Sequence, residues 1–269
     1  MRTAILLALL LITALLPNSV TGQQPGVPDV YLIAHRGGVV DEEHAENSRA
    51  AILTALERGY WMLEVDIRET RDGRAILHHD VDFQRYYHDP RRVEEMDWKQ
   101  IKQLRSDIDG ARPLLFSEAA ELVAGRARLM LDVKGNDLSE GFYREIEEAL
   151  IRNGLLETTF ILSGRQATEY FHDRTSHSIS YTRLLDAAEA GEDVSRRYHL
   201  FMLASQLTEE MIQKADELNV LVVAAVNEFR YDQANVDPWE GAQKDIERLL
   251  RLGVKHYQID SMYEPLFPL

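Results

Sequence analysis

Four short stretches of the chain carry side chains that could do chemistry together. The run DVYLIAHRGG, residues 29–38, is an apolar, strand-like segment that ends abruptly in His35, Arg36 and two glycines. An imidazole exchanges protons near neutral pH, and a guanidinium holds an anion through a planar fork of donors. Glycines let the backbone approach a ligand closely. A simple turn is the plain alternative, and an anion-handling site is the sharper one. Further on, Glu64 and Asp66 are separated by one residue, so on a strand both carboxylates point the same way. Two such groups repel each other unless they are protonated or neutralised. A hard divalent cation with oxygen ligands neutralises them, and Asp132 on the next strand can supply a third oxygen. The competing reading is a salt-bridged solvent face, with Trp61, Leu63, Val65 and Ile67 buried on the other side.

The turn signal Asp72-Gly73 is followed by Ala75-Ile76-Leu77 and then by His78-His79-Asp80. Adjacent residues of an extended chain face opposite ways, so only one of these histidines can share a face with a given site. Cleaving a P–O bond requires one proton to be taken and another given. His35 and His79, beside a metal and an arginine, suit that exchange.

Such groups act only if the fold brings them to one place. Candidate strands lie at residues 30–34, 61–67, 129–133, 159–162, 176–180, 199–204, 220–226 and 254–259. Helical periodicity falls between them, for example over 48–58, 140–152, 208–218 and 241–252. Strands alternating with helices predict a parallel sheet covered by helices. Eight strands predict a (β/α)8 TIM barrel, whose typical length of about 250 residues fits this chain. A doubly wound open sheet competes, but its G-x-G-x-x-G turn is absent after the first strand, where the chain reads His-Arg-Gly-Gly-Val-Val. In a barrel the chemistry sits at the C-terminal strand ends. His35-Arg36, Glu64-Asp66, Asp132-Lys134, Asn227-Glu228 and Asp260 all fall there. Residues 81–115 form an excursion after the second strand, expected to pack over the barrel mouth with a helix near 97–105.

Composition bounds the remaining possibilities. The chain has 269 residues, no cysteine and a formal net charge of −15. A general nucleic-acid binder needs a basic surface to displace counterions, so that class is excluded. An anionic substrate would need its positive charge supplied locally. Residues 1–22 have the layout of a secretory signal peptide: Arg2, an apolar stretch over 4–16, the break Pro17-Asn18-Ser19, and small residues ending at Gly22. The apolar stretch is shorter than the roughly 20 residues that span a bilayer. The expectation is therefore an exported protein, periplasmic or secreted, with residues 23–269 as one barrel domain and no stable membrane anchor after cleavage.

The stretches IAHRGG, AENSRAA, LEVDI, TRDG and HHD, in that order over residues 33–80, resemble the glycerophosphodiester phosphodiesterase family. LDVK at 131–134 is similar to that family's Glu-Ile-Lys, and VVAAVN and GVKHYQID fit its last two strands more loosely. The resemblance implies a (β/α)8 barrel, in agreement with the strand count. It implies that His35 and His79 are the acid/base pair, that Arg36 and Lys134 hold phosphate, and that Glu64, Asp66 and Asp132 bind Ca2+ or Mg2+. The implied reaction is hydrolysis of a small glycerophosphodiester to sn-glycerol 3-phosphate and an alcohol. Glu46-Asn47 opens the first helix, where Asn47 or Ser48 could equally be a plain N-cap. Three positions depart from the pattern. Asp132 stands where the family usually has Glu, Ala224-Ala225 where it often has a tryptophan, and Asp260-Ser261-Met262 where Tyr-Pro often follows the aspartate. Two other readings accompany this one: a sphingomyelinase-D-like attack on intact phospholipids, and a non-catalytic barrel that only binds phosphodiesters.

Overall fold

The computed structural model describes residues 30–268, and the signal peptide expected over 1–22 lies outside them. The described strands are β1 (Tyr31–Ala34), β2 (Met62–Glu69), β3 (Ala75–Leu77), β4 (Asp82–Phe83), β5 (Asp89–Arg92), β6 (Leu114–Leu115), β7 (Arg128–Val133), β8 (Phe160–Ser163), β9 (Ser176–Ile179), β10 (Tyr198–Leu203), β11 (Leu221–Val226) and β12 (His256–Ile259). Strands β1, β2 and β7 to β12 pair in parallel, and β1 pairs with both β2 and β12. The sheet therefore closes into an eight-stranded barrel, and the open doubly wound alternative is wrong. All eight barrel strands fall within two residues of the expected runs.

Helix α1 (Arg49–Glu57) connects β1 to β2. The excursion carries α2 (Gln84–Tyr87) and α3 (Trp98–Ile101). Around the rest of the barrel run α4 (Phe116–Val123), α5 (Glu140–Arg152), α6 (Arg165–Phe171), α7 (Tyr181–Glu189), α8 (Val194–Arg197), α9 (Glu209–Glu217), α10 (Glu228–Gln233) and α11 (Pro238–Arg251). Their apolar stripes explain their placement. In α5, Phe142, Tyr143, Ile146, Ala149 and Leu150 recur at helical spacing and are buried, and Ser139 caps the start by accepting from the Phe142 amide. Helix α11 begins earlier than its periodicity suggests. Asp237 accepts from the Glu240 amide, and Pro238 fills the first helical position, where no amide hydrogen is needed. The helix expected over 97–105 is a single turn, α3, because Ile101 is its one buried residue while Lys102, Gln103 and Arg105 face solvent.

Both faces of the barrel strands are buried, as in parallel sheets covered by helices. Inside, Ile33, Met62, Met130 and Val223 form one packed layer. Toward the N-terminal strand ends, five rings pack together: Tyr31 stacks on His256 at 4.8 Å, Trp61 meets His256 at 4.9 Å and Phe160 at 6.0 Å, and Phe160 stacks on His199 at 4.5 Å. The polar side chains are left to the opposite end. There the excursion leaves β2 through β3, antiparallel to it, and returns through β6. The excursion has its own small core of Ile76, Phe83, Val93, Met96 and Ile101, with the β4–β5 hairpin beside it.

Candidate active site

His35 follows β1 directly and starts a tight turn, His35–Gly37. In that turn Arg36 is left-handed, at φ 54° and ψ 42°, a conformation that costs a side-chain-bearing residue roughly 1–2 kcal/mol. Two backbone contacts hold it: the Arg36 amide donates to Glu64 Oε2 at 2.8 Å, and its carbonyl accepts from the Asn47 amide at 2.7 Å. The following glycines serve this approach. A Cβ on Gly37 would lie 2.8 Å from Asn47 Cα, and one on Gly38 would lie 2.2 Å from the Ala51 carbonyl oxygen. The pair thus brings the start of α1 directly against the end of β1.

That approach decides between the two candidate caps. Ser48 is the N-cap, accepting from the Ala51 amide at 3.1 Å. Asn47 turns inward instead, donating from Nδ2 to Asp66 Oδ2 at 2.9 Å and accepting from the Asp66 amide at 3.2 Å. Glu64 and Asp66 are each 1% exposed, on the inner face of β2, so the solvent-face reading fails. With Asp132 they offer oxygens that all lie within 4.8 Å of one another. Burial, then the charges of Asp66 and Asp132, push the Glu64 carboxyl well above the usual range. Burial also acts upward on Asp66, but Lys134, His79 and Asn47 outweigh it and hold that carboxyl low. Lys134 Nζ reaches Asp66 Oδ1 at 3.1 Å and also binds Asp132, which accepts from Ser163 as well. Three carboxylates against one ammonium leave surplus negative charge on hard oxygen donors, which fits a divalent cation. A second acidic group, Glu46, His79 and Asp80, is equally compact. Arg36 and Arg85 already neutralise it, so it does not need a metal.

Each proposed acid/base histidine has a carboxylate on Nδ1. His35 Nδ1 lies 2.5 Å from Asp260 Oδ1, and the other Asp260 oxygen accepts from the Glu228 amide at 2.7 Å. Burial acts to raise Asp260, yet the His35 bond, its charge and the Glu228 amide outweigh it and hold the carboxyl below its ordinary value. His79 Nδ1 lies 2.8 Å from Asp80 Oδ1. Asp80 is held far below the usual carboxylate range, chiefly by that bond, against some burial and with help from Arg85. Arg68 donates twice to the His79 carbonyl, at 3.0 and 2.8 Å. Both imidazoles therefore present Nε2 as the free nitrogen. His78 faces the other way, donating from Nε2 to the Asp82 carbonyl and stacking on Phe83 at 4.5 Å inside the excursion.

A cavity of 220 Å³ opens beside His35, Arg36 and Asp260, with Arg85 and Tyr86 of the excursion and Phe229 on its walls. A larger one, 640 Å³, lies at the opposite end of the barrel around Trp61 and Arg128, and none of the acidic or histidine groups described above lines it. Of the seven residues singled out in the sequence, Glu64, Asp66 and Asp132 lie within barrel strands β2 and β7, His35, Arg36 and Lys134 follow β1 and β7, and His79 follows β3 of the excursion. Lys134 differs from the expectation in one respect: its ammonium sits between two carboxylates. Sequence reading left out Asp260 and Asp80 as histidine partners, Glu46 as the carboxylate holding Arg36, and the excursion's Arg85. Asp260 could have been found from its place at the end of the last strand.

Comparison with known proteins converges on one family. The model of the glycerophosphoryl diester phosphodiesterase family matches residues 35–255. Human glycerophosphodiester phosphodiesterase 1 is 34% identical over 116 residues, covering 40% of this chain and 34% of that protein. A glycerophosphodiester phosphodiesterase of Caldanaerobacter subterraneus is 30% identical over 128 residues, covering 45% and 51%. The match thus spans about a third to a half of the length of these relatives. Among solved structures, the glycerophosphodiester phosphodiesterase of Agrobacterium tumefaciens aligns with a TM-score of 0.68 at 17% identity, over 86% of this chain and 96% of that one. An Oleispira antarctica phosphodiesterase, solved in complex with sn-glycerol-3-phosphate, aligns with a TM-score of 0.66 at 16% identity, over 86% and 93%. The match to the family model extends from His35 through most of the barrel, and the chain belongs to the glycerophosphoryl diester phosphodiesterase family.

Proposed function

We propose that this protein hydrolyses glycerophosphodiesters to sn-glycerol 3-phosphate and an alcohol. One observation carries the reading: two histidines, each with an aspartate on Nδ1, stand at a barrel mouth that also holds Arg36 and a three-carboxylate cluster. Family membership and a product-bound structural neighbour support it. Glu64, Asp66 and Asp132 would hold Ca2+ or Mg2+, which supplies charge neutralisation at the phosphoryl oxygens when bound. Arg36 binds the phosphate as a cation, and Lys134 tempers the negative charge of the carboxylates beside it. One imidazole takes the proton from the nucleophile, which is water or the glycerol hydroxyl beside the ester. The other returns a proton to the departing alcohol. Such proton transfer contributes about 10²–10⁴-fold, so the cationic groups must supply much of the remaining acceleration.

Intact phospholipid is less well matched. Of the residues lining the 220 Å³ cavity, Met262 alone is an exposed large apolar side chain, at 43%, and a lipid-facing rim needs a contiguous patch. The layout of residues 1–22 supports export to the periplasm or outside the cell. The purified chain should release sn-glycerol 3-phosphate from glycerophosphocholine with Ca2+ or Mg2+ and lose that turnover in EDTA. Turnover unaffected by EDTA would remove the metal from the proposal. Turnover of sphingomyelin or lysophospholipid alone would replace it with the lipid reading.

A further inference from the structure

Five ionisable side chains form one continuous line of contacts across the mouth, and its middle member has no role in the proposed reaction. His79 Nδ1 meets Asp80 Oδ1 at 2.8 Å, and Asp80 Oδ2 accepts from Arg85 Nε at 2.8 Å. Arg85 Nη2 donates to Glu46 Oε1, and Glu46 Oε2 accepts from Arg36 Nη1 at 2.7 Å. Arg85 belongs to the excursion, in α2, and its guanidinium lies over the Tyr86 ring, 4.4 Å from the centroid. The Glu46 side chain is 4% exposed. A carboxylate buried that deeply needs its charge compensated, and here two arginines share it. Two nitrogens of one rigid plane thus touch two carboxylates, one behind a proton-transfer group and the other behind an anion-binding group. A guanidinium holds both in a fixed planar fork, whereas an ammonium, on a flexible stem, offers donors on one nitrogen only and fixes no such spacing.

We propose that Arg85 is a positioning residue that sets His79 and Arg36 at a fixed spacing through Asp80 and Glu46. The excursion is then part of the catalytic frame. The proposal rests on the roles given to His79 and Arg36 above. It differs from two simpler accounts of the same contacts, in which Arg85 touches the departing alcohol or merely braces the excursion.

The test compares Arg85→Ala and Arg85→Lys with the wild type on glycerophosphocholine, glycerophosphoethanolamine and glycerophosphoglycerol. Arg85→Ala should lower kcat by about 10–100-fold, the scale of small misplacements at a reacting centre, and by the same factor for all three esters. Arg85→Lys should recover little of the loss. Millimolar guanidinium should restore several-fold activity to Arg85→Ala and none to the wild type. The loss on adding Arg85→Ala to Asp80→Asn should fall short of the product of the two separate losses. A loss that depends on the alcohol assigns Arg85 to substrate contact and overturns the proposal. Full retention of kcat, or multiplicative losses with no guanidinium rescue, overturns it in favour of the brace. The ¹⁵N signals of the His79 ring, identified by their absence in His79→Asn, provide a readout without substrate. If the wild type hydrolyses none of the esters but Arg85→Ala shifts those signals, the functional reading fails and the positioning role stands. If the wild type turns over and neither rate nor signals change in Arg85→Ala, the positioning role fails alone.

Discussion

A carboxylate on Nδ1 does not by itself make a histidine catalytic. His44 has one from Asp41, at 2.7 Å, in an exposed loop. What distinguishes His35 is that its partner is anchored from behind: Asp260 directly follows the neighbouring strand, β12, and its second oxygen is fixed by the Glu228 amide. The partner's chemistry therefore matters as much as its presence. Asp260→Asn keeps the shape but places an amide where a carboxylate accepted the ring proton, so the imidazole can present the wrong tautomer. Turnover should fall by about 10²–10⁴-fold with little change in melting temperature. A comparable loss of melting temperature would show that Asp260 serves the fold instead. The carboxylate cluster makes a separate prediction. Asp66→Asn removes a ligand oxygen and one partner of Lys134, and it should raise the Ca2+ or Mg2+ concentration for half-maximal activity at least tenfold. An unchanged metal titration would place the ion elsewhere.

Among the elements, the barrel strands were readable because each is a short apolar run punctuated by polar residues at one end, and barrel closure needs eight of them. The paired carboxylates of β2 were readable for the same reason, since the two-residue repeat of a strand fixes their common side. Asn47 and Ser48 show where local reading stops. By residue type both are helix caps, and the choice between them was made by Asp66, on another element. Arg85 lay further beyond reach: its partners are a loop aspartate and a glutamate 39 residues away, and no periodicity announces such a meeting. The His-Arg-Gly-Gly turn supplies the test at this scale. A methyl group on Gly38 would collide with the Ala51 carbonyl, so Gly38→Ala must push α1 off the end of β1. Overpacking of this kind costs typically about 1–3 kcal/mol, and the positive φ of 151° adds strain. Urea denaturation should show that loss together with weakened turnover, because Arg36 and Asn47 move with the turn. Gly59, also at positive φ but with open space around it, should lose less stability and retain activity when changed to alanine.

For the whole molecule, acid is the informative stress. Burial, and secondarily the charge of His177, push the His199 ring down to about 3. Burial, then Lys255 and Arg128, push His256 down to about 4. Both rings bind protons less readily folded than unfolded. Their contribution is fully present above the unfolded value of about 6.5 and is lost as pH falls from there toward 4 and 3. When complete the contribution is on the order of 5 kcal/mol for His199 and about 3 kcal/mol for His256. Stability measured by denaturant titration between pH 7 and 4 should therefore fall steeply. His199→Phe, which keeps a ring against Phe160, should flatten the curve. An equal slope in the variant would assign the acid sensitivity to carboxylates. The anionic character of the protein as a whole, −15 overall, makes the local cations at the mouth the chief attraction for a phosphodiester.

The buried layer of Ile33, Met62, Met130 and Val223 that fills the barrel also governs traffic. With the interior packed, an ester consumed at His35 and His79 has one doorway for its arrival and for both fragments leaving. The phosphate-bearing fragment holds the same arginine as the next substrate, so it competes for the seat it has not yet left. Reaction progress curves should bend early as sn-glycerol 3-phosphate accumulates, and added glycerol 3-phosphate should raise KM without lowering the maximal rate.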